Sequence, residues 1–246
     1  QPASDGNRSL IRSLGLKVTR VVIDAGHGGH DTGSIGPSGL TEKELVLDVS
    51  QRLQKLIESE LGTKVVMTRT DDKYVALEER TAVANHNEAD LFISIHANSS
   101  RVRSARGVET FFLNFTTSKE ALETASRENA ASEHTIHELQ DIARKIMLQD
   151  KVDESRELAR HIQKSLVGKR GAAFDRGVKQ APFVVLIGAS MPSILAEISF
   201  ISNPQEEKRL KTSQYRQQIA QSLFEGVRSY SESLSGLKTA KSREKN

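Results

Sequence analysis

Two histidines and two glutamates, His27, Glu42, His96 and Glu197, have the types and positions needed for metal-assisted hydrolysis. His27 stands just past the β-branched run Val18 to Asp24, in the glycine-rich loop DAGHGGHDTGSIGPSGLTE, and His96 directly follows the apolar run DLFISI. Open α/β sheets gather ligand-binding groups beyond the carboxyl ends of their strands. Two imidazoles at such ends can therefore converge along one sheet edge, and the Glu42 carboxylate can join them from the start of the next helix. A His/Glu/His set is a known catalytic zinc pattern, because three protein ligands leave a fourth position for water. The chain has no cysteine, so any metal must be held by imidazole and carboxylate. Either histidine alone would more often be a hydrogen-bonded structural residue; their matching strand-end positions favour ligation. The loop is not a dinucleotide fingerprint: counting from Gly26 and Gly28, the third glycine of G-x-G-x-x-G falls on Asp31.

Glu197 lies in SILAEISFIS, a run that reads as a strand buried on both faces. An unpaired carboxylate there costs several kcal/mol, so it must face a cation, a donor or the strand end. One reading is an ion pair with Arg80 or Arg69. The other, favoured here, is a general base and then general acid beside a metal-activated water.

The elements that must position these groups alternate. Strands are expected at Val18 to Asp24, Lys64 to Thr68, Asp90 to Ile95, Gly107 to Leu113, Phe183 to Ile187 and Ser193 to Ile198, with helical patterns between them. This predicts a single α/β domain over residues 18–235, with a mostly parallel, about six-stranded sheet flanked by helices. Thr41 and Glu44 have capping-box spacing at the start of the first helix, whose buried stripe is Val46, Val49, Leu53, Leu56 and Leu61. Glu42 then serves no reciprocal cap and is free for chemistry. Asn203 to Ser233 reads as one long closing helix opened by Pro204. Between the fourth and fifth strands, Thr117 to Val167 inserts about three helices' worth of sequence. Thr117 and Glu120 suggest a cap; Ile136, Leu139, Ile142 and Ile146 make one stripe, and Leu158, Ile162 and Leu166 another. The first inserted helix, Lys119 to Ser132, has Leu122 as its one large apolar side chain, so it gains little from packing and should be detachable. Residues 1–17 read as a linker or tail, and 236–246 as a polar, flexible terminus.

Composition narrows the partners. The 246 residues are 37% hydrophobic, with no apolar run near the roughly 20 residues that span a bilayer, so no membrane span is expected. A net charge of +3 and 4% aromatics argue against nucleic acid. The chain opens on Gln1 without an initiator Met or signal sequence, which reads as a mature or trimmed form.

Taken together, VVIDAGHGGHDTG, the glutamate of GLTEKE, DLFISIHAN and ILAEISFISNP resemble the zinc-dependent N-acetylmuramoyl-L-alanine amidases, over roughly Val18 to Ser233. The resemblance implies a six-stranded amidase fold, Zn2+ on His27, Glu42 and His96, and a catalytic Glu197. It further implies as substrate the amide joining N-acetylmuramic acid to L-Ala of the peptidoglycan stem peptide, hydrolysed in cell-wall remodelling and daughter-cell separation. Asp24 and Asn98 are then candidates for orienting the ligand histidines, though each could equally be a turn or loop hydrogen-bonder. His30 and His86 stay unassigned, His30 being either a substrate contact or a solvated surface residue. Division-associated amidases of this type carry an inserted helix that covers the site and can donate a carboxylate to zinc; Glu128, in SRENAAS, is the candidate inhibitory fourth ligand. The usual activator in the family is a protein with a catalytically degenerate endopeptidase-type domain. A periplasmic or extracellular monomer is expected. Two alternatives stay open: a non-catalytic module that binds cell-wall glycopeptide, and a zinc peptidase cutting within the stem.

Overall fold

The run Arg20–Ala25 forms β1 and is buried from Val21 onward, because helices cover both faces of its sheet. β2 (Lys64–Met67), β3 (Leu91–Asn98), β4 (Val108–Leu113), β5 (Asp175–Ala181) and β6 (Ser193–Phe200) complete the sheet in the order β2-β1-β3-β6-β4-β5. β1, β2, β3 and β6 run parallel; β4 is antiparallel to β6 and carries β5 parallel to itself. The computed structural model describes residues 17–132, 134–146, 151–168 and 171–243. Among the described residues the helices are α1 (Glu42–Leu61), α2 (Leu77–His86), α3 (Lys119–Glu128), α4 (Ile136–Ile146), α5 (Lys151–Val167), α6 (Pro204–Leu210) and α7 (Ser213–Arg243). No described helix is long and apolar enough to cross a membrane.

Side-chain alternation along the strands gives the sheet two apolar faces. Val21, Ile23, Ile93, Ile95, Ala196 and Ile198 meet α1, α5 and α7 on one. Val22, Phe92, Phe111 and Leu195 meet α2 and α3 on the other. The same alternation sends Asp24, His96 and Glu197 toward the second face, where β1, β3 and β6 end together.

The expected α/β sheet of six strands is present, but its fifth strand is displaced. Phe183 to Ile187 is not a strand: Val184–Leu186 form a 3-10 turn after Pro182, which has no N–H to give a ladder. The fifth strand is DRGVKQA, an edge strand without an apolar pattern. The closing helix is two helices, with Asn203 capping α6 through bonds from Gln205 N–H and Glu206 N–H. α7 continues to Arg243 through the stretch expected as a tail, where Leu237, Lys238, Ala240, Lys241 and Arg243 are strong helix formers. Residues 1–16, from the expected linker, and 244–246 lie outside the described residues, as does the side chain of Ile146. Thr41 does occupy the cap position of α1, but its side chain makes no cap bond. Instead the N–H groups of Glu42 and Lys43 donate to the carbonyls of Ser34 and Thr32, so the loop itself caps the helix. At α3 the cap is Ser118, one residue beyond the expected Thr117, and it accepts from Ala121 N–H.

The inserted segment divides in two. α5 buries Leu158, Ile162 and Leu166 completely in the first apolar face, beside α7. α3 buries only Ala121, Thr124, Ala125 and Glu128, so its apolar contribution is two alanine side chains.

Candidate metal centre

His27, Glu42, His96 and Glu128 each offer one ligand atom, and those four atoms lie within 4.8 Å of one another in buried surroundings. They arrive from four elements: the loop after β1, the first turn of α1, the end of β3 and the last turn of α3. His27 Nε2 is 3.1 Å from Glu42 Oε1 and 3.2 Å from Glu128 Oε2. His96 Nδ1 is 3.3 Å from Glu42 Oε1 and 2.8 Å from Glu128 Oε2. His27 Nε2, His96 Nδ1 and Glu128 Oε2 nonetheless complete no hydrogen bond. Buried polar atoms are rarely left so. They aim at a common point rather than at each other, and two imidazoles with carboxylates suit a hard or borderline divalent cation such as zinc. The donor set therefore fits a metal.

The loop around them explains its glycines. A Cβ on Gly26 would come within 2.4 Å of His96 Cε1 and 2.6 Å of its Nε2, and one on Gly33 would come within 2.6 Å of His27 Cδ2 and 2.8 Å of Glu42 Oε2. Both positions lack side chains because a side chain of the cluster occupies that space. His27 itself has φ 59, a left-handed conformation costly for a residue with a Cβ. Two buried arginines hold the chain there. Arg69 donates to the carbonyls of Ala25, Gly26 and Lys43, and Arg80 to those of Ala25 and His27. His27 Nδ1 is 2.9 Å from Asp31 Oδ2, which turns Nε2 toward the centre. Glu42 is held by Ala97 N–H on Oε1 and Ser34 N–H on Oε2, both at 2.9 Å.

Burial works against charge in all these groups, and the neighbours decide the outcome. For His96 the Glu128 carboxylate overcomes burial and raises the imidazole to about 10; for His27 burial is likewise outweighed by Glu42, and its pKa is raised further. Glu42 is held well below the carboxylate range by His27 despite burial.

Glu197 lies beside His96 in the sheet register, fully buried, and neither of its oxygens has a hydrogen-bond partner. Burial and then the Glu128 carboxylate push it well above the usual range. The alternative ion pair with Arg80 or Arg69 is absent, since both guanidinium groups are engaged with Asp24 or backbone carbonyls. Asp24 hydrogen-bonds to neither imidazole: its oxygens accept from Thr68, Arg80 and Ser94 at 2.6 to 2.8 Å. It anchors the arginine that fixes the loop. Asn98 also stands off the histidines, donating to Glu109 and accepting from Arg127 of α3 at 2.6 Å. His30 and His86 are exposed, and His30 stacks at 4.2 Å on Tyr74. Asp31 escaped the sequence reading, although its spacing from His27 in HGGHD was a usable signal.

The family model described as N-acetylmuramoyl-L-alanine amidase matches residues 21–229. N-acetylmuramoyl-L-alanine amidase AmiA of Escherichia coli (strain K12) is 37% identical over 219 residues, covering 85% of this chain and 75% of that protein. N-acetylmuramoyl-L-alanine amidase AmiC of Escherichia coli O6:H1 is 34% identical over 222 residues; the match takes in 85% of this chain but 52%, about half, of that relative's length. Among solved structures, the N-acetylmuramoyl-L-alanine amidase from Clostridium difficile 630 aligns with a TM-score of 0.68 at 30% identity, covering 88% of this chain and 98% of that one.

Proposed function

This chain belongs to the N-acetylmuramoyl-L-alanine amidase family, and from that premise we propose that it hydrolyses the amide between N-acetylmuramic acid and L-Ala of the peptidoglycan stem peptide. The observation that carries the reading is the convergence of two unbonded imidazole nitrogens with the Glu42 and Glu128 carboxylates beside a buried, unpartnered Glu197. His27, Glu42 and His96 would hold zinc. The ion supplies Lewis acidity, lowering the pKa of water to about 7 and polarising the scissile carbonyl. Glu197 takes the proton of the attacking water and delivers it to the departing amine of L-Ala. Asp31 keeps His27 in the tautomer that presents Nε2. The buried Glu197 has no competing hydrogen bond, so its oxygens are available to the water.

Glu128 extends the reading to regulation. It stands where a substrate oxygen would have to approach, so the chain as folded is held off until α3 leaves. Displacement by a protein activator is the proposed trigger, and a degenerate endopeptidase-type domain is the expected kind of partner. Cell-wall remodelling and daughter-cell separation, in the periplasm or outside the cell, are the proposed setting.

The test is metal analysis of the purified chain combined with dye release from labelled peptidoglycan and mass spectrometry of the fragments. Zinc at one equivalent and fragments bearing a new N-terminal L-Ala are expected. Cuts within the stem would identify a peptidase instead, and binding without release a glycopeptide-binding module.

A further inference from the structure

Arg176 and Lys179 are three residues apart on β5, a spacing that in a regular strand points side chains to opposite faces. A bulge brings them to one. Val108 pairs with Asp175 and Thr110 with Val178, so β5 holds one residue more than β4 across that step, and Gly177 within it has φ 84. Both cations therefore reach the same buried carboxylate: Lys179 Nζ is 2.6 Å and Arg176 Nε 3.2 Å from Glu109 Oε2. Glu109 neighbours Glu197 across the sheet and is 2% exposed. One cation would neutralise Glu109. The second charge is matched by Glu120 of α3, whose Oε2 lies 3.4 Å from Lys179 and 3.8 Å from Arg176.

Glu120 is 71% exposed, so this contact does little to hold α3. Its interest is positional. α3 carries one carboxylate onto the metal ligands and another, eight residues earlier, onto a cation pair. When the helix leaves, Arg176 and Lys179 keep Glu109 and retain one positive charge that Glu120 no longer matches.

Building on the amidase reading, we propose that Arg176 and Lys179 bind a free carboxylate of the stem peptide, so that Glu120 and Glu128 of α3 mimic two points of the substrate. Eight helical residues span about 12 Å. An extended peptide covers that in about three to four residues, which assigns the carboxylate to about the third residue of the stem. The pair is a specificity determinant, acting on binding and not on the proton transfers.

The experiment uses the zinc-loaded full chain carrying Glu128→Ala and two soluble muramyl peptides, one with a free side-chain carboxylate on the third stem residue and one with that carboxylate amidated. A preference of about tenfold in kcat/KM for the free acid is expected, as befits a charge-assisted contact. Lys179→Gln and Arg176→Gln, each leaving one cation for Glu109, should bring the two peptides to near parity through KM, with kcat little changed; circular dichroism establishes that each variant folds. Equal kcat/KM in the parent, which needs no further variant, overturns the assignment, as does a preference surviving both substitutions in folded protein. Cleavage of neither peptide would overturn the amidase reading and this assignment with it.

Discussion

Glu128 Oε2 lies 2.8 Å from Nδ1 of His96, inside the same group of ligand atoms that includes His27 and Glu42. The helix that brings it there buries two alanines, a threonine and Glu128 itself. Arg127 adds a bond to Asn98 at 2.6 Å. The Asn129 side chain, just past the last turn of the helix, adds bonds to Pro182 and Val184, so the helix is held by a few polar contacts and has little apolar packing to lose on detachment.

Glu128→Ala should therefore raise peptidoglycan hydrolysis by the isolated, zinc-loaded chain. Loss of one charged ligand weakens α3 by about 1.5–3 kcal/mol, which corresponds to roughly 10–100-fold in the open population. Deletion of residues 119–132 should act in the same direction. Dye release measures both; unchanged or lower activity in a folded deletion would count against autoinhibition.

Glu197→Gln should keep zinc and lose turnover by about 10²–10⁴-fold, the usual worth of a positioned proton carrier. The amide preserves the shape of a fully buried side chain, so folding should survive. Metal content and kcat, measured on the same sample, decide it: full activity would refute the proton-transfer role.

Why so much of this site can be read from the chain is a matter of strand ends. His27 and His96 each follow an apolar run long enough to be a buried strand, and parallel strands end on one edge, so their meeting follows from local pattern. Glu197 was legible because a carboxylate inside SILAEISFIS needs a reason to be there. β5 was not legible: an edge strand faces less apolar surface, and DRGVKQA carries no alternation. Nor were the roles of Asp24, Asn98, Arg69 and Arg80. Each makes its bonds to groups at least 11 positions away, or to backbone carbonyls that no side-chain pattern reports.

Gly26→Ala should lower zinc affinity by about tenfold or more, because the new methyl must displace the His96 ring from its ligating position. Competition against a chromophoric chelator reads the affinity. An unaltered value in folded protein would mean that the ring does not need its present place to bind metal.

Asp24→Asn tests the anchor beneath the loop. Asp24 is fully buried and pairs with Arg80 at 2.8 Å, itself 2% exposed, so neutralising one partner leaves a buried guanidinium uncompensated at a cost of about 3–5 kcal/mol. The charged groups facing Asp24 are Arg80, Arg69 and His96. Burial raises its pKa, but Arg80 and then the hydroxyls of Thr68 and Ser94 lower it further, and the net direction is downward. A carboxylate depressed in the folded state contributes stability that is fully present above its unfolded value, near 3.8, and is lost as pH falls through the folded one. Urea unfolding of wild type and variant, with chelator present so that metal ligation stays out of the profile, should show the full gap at pH 7 and a shrinking gap below about pH 4. A gap that stays constant into strong acid would show that Asp24 is not stabilising the fold as an anion.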